Sequence, residues 1–97
     1  MTLDYSMLPE HMQEGAKLYV ERGIEPGGFM RCVLENSLVD AAAKADSINR
    51  KHLFEWATWL YSNCPSEAWR TAAKVDAWIE QGGMVGRGSL APEGTDA

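Results

Sequence analysis

The chain predicts an all-α fold: a compact bundle of three main helices and a short fourth, followed by a flexible C-terminal tail. Three observations carry that prediction. Apolar residues recur at helical spacing in three long segments between Leu8 and Cys64 and again between Val75 and Ile79. Beyond the short lead at residues 3–7, no stretch alternates apolar and polar residues as a half-buried strand does. Glycine or proline marks most ends of the periodic segments, at Pro9, Gly23, Pro26, Pro65 and Gly82. A length of 97 residues suits one domain, with about 60–65% of the unfolded surface buried on folding. The helical domain is assigned to residues 1–82 and the tail to 83–97.

Residues 1–7 form a lead whose Leu3, Tyr5 and Met7 can lie as a strap across the core. The first helix follows Pro9, with Leu8, Met12, Ala16, Tyr19 and Val20 on its apolar face and Glu10 and Glu14 near its positive end. Gly23 is placed to stop it in the left-handed conformation, with Ile24 packing back on the last turn. A second helix is expected from Gly28 to Lys44, carrying Met30, Val33, Leu34, Leu38, Ala41, Ala42 and Ala45 on one stripe.

The ADSINR stretch breaks that pattern, because Asp46 and Ser47 are good helix caps. The third helix starts nearby and carries Leu53, Trp56, Ala57, Leu60, Tyr61 and Cys64, with Phe54 and Trp59 widening the apolar arc. Pro65 ends it, and PSEAWR reads as a turn anchored by Trp69. Thr71 caps the short fourth helix, whose Val75, Trp78 and Ile79 face inward and whose stop is Gly82. The sequence beyond is rich in glycine and small polar residues, which is why it is assigned as tail.

Composition narrows the function. The net charge is −5, and the nine Lys and Arg residues are scattered, whereas a phosphate backbone is gripped by clustered cations. Nucleic acid is therefore an unlikely partner. No apolar run approaches the roughly 20 residues that cross a bilayer, and the N-terminus shows neither a basic segment nor an apolar leader. A cytoplasmic protein without a membrane partner is expected, with Cys32 and Cys64 reduced and buried.

Catalytic chemistry finds little support. His11, His52, Cys32 and Cys64 show no spacing that selects a nucleophile and its base, and neither CxxC nor HxxxH is present to hold zinc. No metal, cofactor or enzyme activity is expected. Trp56 and Trp78 stand on core stripes, which leaves Trp59, at the edge of its arc, and Trp69, in a turn, as candidates for contact with a partner. Asp46, Asn49 and Arg50 can gather at the corner before the third helix. Arg31 follows the GIEPGGF turn, which reads as a helix corner in preference to a phosphate cradle because no strand precedes it.

The segment LPEHMQEGAKLYVERGIEPGGFMRCVLENSLVDAAAKAD, then INR, then WLYSNCPSEAWRTAAKVDAWIE, resembles a family of small, largely uncharacterised proteins of tailed bacteriophages and prophages. The resemblance covers about residues 8–81 and rests on fold-defining positions. Where relatives tend to open the last helix with Ser-Pro, this chain has Thr71 and Ala72, which keeps the cap. The resemblance implies an accessory protein acting inside a bacterial cell. The expected function is non-enzymatic occupation of a host or phage protein surface, of the host-takeover or anti-defence type. The alternative is an oligomer that sequesters a nucleotide signal, with Arg31, Arg50, Trp59 and Trp69 as the only set able to supply charge and stacking.

Overall fold

A computed structural model describes residues 3–87 of the chain. Among them lie seven α-helices and a single 3₁₀ turn, with no strand. Helix α1 spans Glu10–Arg22 and buries Ala16, Tyr19 and Val20. It stops as its sequence dictates: Gly23 is left-handed at φ 70°, its N–H bonds the Tyr19 carbonyl, and the Ile24 N–H bonds that of Leu18. The Ile24 side chain does not pack back as expected and is instead half in solvent.

The spacing predicts one helix over 28–44; the chain forms two. Helix α2, Gly28–Leu34, buries Phe29, Met30, Cys32, Val33 and Leu34, and helix α3, Leu38–Lys44, buries Ala41. Between them Asn36 takes a left-handed φ of 66°, which asparagine tolerates better than most residues. The Leu34 carbonyl at the break accepts the Arg70 N–H at 2.8 Å, so a group that a continuous helix would satisfy internally is paired from across the fold. The turn re-aims α3, so that Ala41 and Ala45 face the core while Leu38 and Val39 face out.

The third predicted helix is also two pieces. Helix α4, Ser47–Lys51, is capped by Asp46, whose side chain accepts the Asn49 N–H at 2.7 Å. Helix α5, Leu53–Ser62, begins after a bend at His52 and buries Trp56, Trp59 and Leu60. A 3₁₀ turn, Ser66–Ala68, follows Pro65. Helix α6, Ala72–Gln81, is capped by Thr71 and buries Val75 and Trp78.

Gly82 ends α6 in the left-handed conformation, and the expected tail instead opens with helix α7, Gly83–Arg87, which packs against α1. Met84 on α7 is buried; one apolar side chain in a glycine-rich segment is enough to seat a turn of helix on the core, and periodicity over so few residues cannot reveal it. The remainder of the assigned tail, residues 88–97, lies outside the described residues.

The core is aromatic. Trp56 meets Phe29 edge-on at 5.4 Å between ring centres and Trp59 edge-on at 6.2 Å, the geometry that aromatic quadrupoles favour. Trp78 donates its indole N–H to the Tyr19 and Val20 carbonyls near the end of α1. The Tyr19 hydroxyl in turn donates to the Ala68 carbonyl. The lead does act as a strap: Leu3, Tyr5 and Met7 pack on the core. No helix among the described residues is long and apolar enough to cross a membrane.

Candidate protein-docking face

The residues singled out by the sequence are mostly engaged in holding the fold. Arg31, on α2, is 22% exposed and is surrounded by three carboxylates: Glu35 one turn on, Asp76 on α6, and Glu25 in the α1–α2 turn. The guanidinium donates to all three, and these hydrogen bonds, those to Glu35 and Asp76 first, push its pKa up and tie the α1–α2 corner to α6. Its charge is spent within the protein, which agrees with reading the GIEPGGF turn as a corner.

Asp46, Asn49 and Arg50 do lie together, as a capped corner. Asp46 accepts from the Asn49 N–H and also pairs with His11 Nε2 of α1 at 3.0 Å. The Asn49 hydrogen bond, then that of His11, holds the Asp46 carboxyl below its ordinary range. Asn49 is 2% exposed, and its Oδ1 accepts the Trp56 indole N–H. Arg50 donates to the Ala45 carbonyl at 3.2 Å and remains exposed.

Trp59, expected at the edge of its arc, is 1% exposed. The strap covers it: its indole N–H donates to the Asp4 carbonyl at 2.9 Å, and the Tyr5 ring lies 5.8 Å away. A contact that depends on the lead is invisible to a helical-wheel argument confined to residues 53–62. Trp69 is half-buried beside the core, with the Arg70 guanidinium over its ring at 4.7 Å. Arg31, Arg50, Trp59 and Trp69 thus sit in four separate settings, with no ring–cation pocket formed from them.

Both cysteines are buried and free. Burial pushes the Cys64 thiol up, away from the thiolate that nucleophilic chemistry needs. Among the described residues no group of three or more His, Cys, Asp or Glu side chains could hold a metal ion.

What the surface does offer is apolar. Leu38 of α3 is 70% exposed, and Phe54 and Tyr61 of α5 are 79% and 86% exposed. Phe54, Ala57 and Tyr61 are three, four and seven residues apart, hence on one side of α5. Beside them a groove runs between α3 and α5, lined by Leu38 and Ala41 on one wall and Leu53, Ala57 and Leu60 on the other, with Trp56 and Val33 among its lining residues. Ala57 belongs to both features, so groove and stripe are one continuous apolar face.

The sequence carried a signal for this face that core assignment absorbed. The apolar arc of α5 runs from Trp59 through Trp56, Leu60, Leu53 and Ala57 to Tyr61 and Phe54, more than half a turn and wider than one packing partner covers. Leu38 likewise joins the core stripe only if α2 and α3 are one straight helix. No protein-family model matches the chain, and neither the curated proteins nor the solved structures include a match to it.

Proposed function

We propose that this chain is a non-enzymatic binding protein whose working surface is the α3–α5 face, and that it acts, as the phage resemblance suggests, by assembling with a protein inside a bacterial cell. The observation that carries this reading is the exposure of Leu38, Phe54 and Tyr61 around an apolar groove. Large apolar side chains gathered at the surface are costly in water and are a mark of protein contact. The reading fits the lack of a converging set of catalytic groups among the candidates named above. Co-purification of the tagged protein from a bacterial host, wild type beside a Phe54→Ser/Tyr61→Ser variant, tests it. The expected result is a stoichiometric protein partner (a host protein, a phage protein or a second copy of the chain) held by the wild type and lost by the variant at unchanged melting temperature. A partner held equally by both proteins would refute it.

The second reading is an oligomer that takes a nucleotide at a subunit boundary. Exposed Arg50 and Lys51 end α4, one residue before α5, and would place positive charge at the margin of any assembly built on that helix. Native mass spectrometry of the purified protein separates the two readings, since it reports subunit number and retained ligand together.

A further inference from the structure

We infer that the occupant of the α3–α5 face is a second copy of this chain, with α5 packed antiparallel on α5 about a two-fold axis near Ala57 and Thr58. This deepens the docking reading of the same face and rests on it.

The order of residues along α5 is the first argument. Phe54 and Tyr61 stand at the two ends of the exposed stripe, and Ala57 and Thr58 lie midway between them. A two-fold axis through that midpoint sets Phe54 of one copy beside Tyr61 of the other, twice, and small residues against small residues at the crossing. An isologous contact requires such self-complementarity, aromatic pairs gain from meeting, and small side chains at a crossing let two helices approach closely. With a rise of about 1.5 Å per residue, the two rings of one copy are roughly 10 Å apart along the axis, enough to bracket a partner helix at its midpoint.

Charge is the second argument. The chain carries a net charge of −5, so two copies repel unless they meet where charge is absent or opposed. Helix α5 has one charged residue, Glu55, which lies beside His52 at 3.5 Å and away from the stripe. The basic pair Arg50 and Lys51 precedes α5. In the antiparallel pairing it approaches the C-terminal end of the other α5, where carbonyl groups carry partial negative charge.

Area is the third. Phe54 and Tyr61, at about 150–200 Å² each, together with Leu38 and the groove rim supply roughly 500 Å² per copy, hence about 1,000 Å² for the pair, the area a biological interface must reach.

Sedimentation velocity on the full chain is the primary test, with the Phe54→Ser/Tyr61→Ser variant beside it. A wild-type dimer is expected at micromolar concentration, with the variant's dimer constant weakened at least a hundredfold at unchanged helical content. The second measurement is disulfide formation under mild oxidation by Ala57→Cys, expected to give a covalent dimer, against Ala73→Cys at an exposed position of α6, expected to give none. A wild type that stays monomeric at about 100 μM, far above the micromolar range in which the dimer is expected, overturns the inference. So does a dimer that survives the double substitution or cross-links through position 73 and not 57. If the wild type is monomeric yet holds a different protein that the double variant loses, self-association fails while the docking reading stands; if neither occurs, both fail.

Discussion

The buried Oδ1 of Asn49 accepts the indole N–H of Trp56 at 3.1 Å, while the Asn49 backbone N–H donates to the Asp46 carboxylate. One residue therefore joins the cap of α4 to the central aromatic ring of α5, across the bend at His52. Asn49 is the one buried polar or charged residue among those described, and burial of an amide is tolerated because it is hydrogen-bonded.

Asn49→Leu should cost about 1–3 kcal/mol, because it leaves the Trp56 N–H buried and unpaired. In a Trp56→Phe background the same substitution should cost much less, since no donor remains to be orphaned. Urea denaturation of the four proteins measures the coupling, and strict additivity would contradict this role for Asn49.

Gly23 and Gly83 interlock where α1 ends and α7 begins. Both have positive φ, and a Cβ on Gly23 would fall 2.7 Å from the Gly83 nitrogen, with a similar collision in the opposite direction. Alanine at either position should therefore cost about 2 kcal/mol or more, the left-handed strain being only part of it. Gly27→Ser is the matched comparison: Gly27 has open space around it and an extended backbone at the start of α2, so stability should hold or rise slightly. Thermal midpoints of the three variants check the contrast.

Arg31→Ala should lower stability by about 1–2 kcal/mol, more than a single exposed ion pair contributes, since it leaves Glu25, Glu35 and Asp76 as neighbouring like charges. The loss relative to wild type should shrink in high salt, where the repulsion is screened. Denaturation at low and high ionic strength provides the measurement.

Asp46 gives the acid limb of stability a specific contributor. Its folded-state pKa lies below its ordinary value of 3.8, through the Asn49 N–H first and His11 next. A depressed carboxyl stabilises the fold above its unfolded pKa, and that contribution disappears as pH falls through the folded value. Asp46→Asn should be less stable than wild type at neutral pH, with the gap narrowing from about pH 4 downward. Melting temperatures across that range check the sign.

Local chemistry in the sequence determined four of the helix ends and the buried centre of α5. Gly23 and Gly82 end helices because a left-handed residue is needed there, Asp46 and Thr71 cap because their oxygens reach the free amides, and Trp56 and Leu60 are buried as their spacing requires. Each of these depends on neighbours a few residues away. Tertiary structure alone decided the rest, because the partners are distant in the chain. The Arg70 amide stabilises the break after Leu34, 36 positions earlier. Asp4 and Tyr5 cover Trp59, Asp76 helps neutralise Arg31, and α1 seats α7. The exposed apolar face between α3 and α5 belongs to the same class. An apolar arc on a helix is a statement about the arc alone, and whether it becomes core or surface depends on how many other elements arrive to cover it; on α5, the strap and α2 cover one side and leave Phe54 and Tyr61 in water.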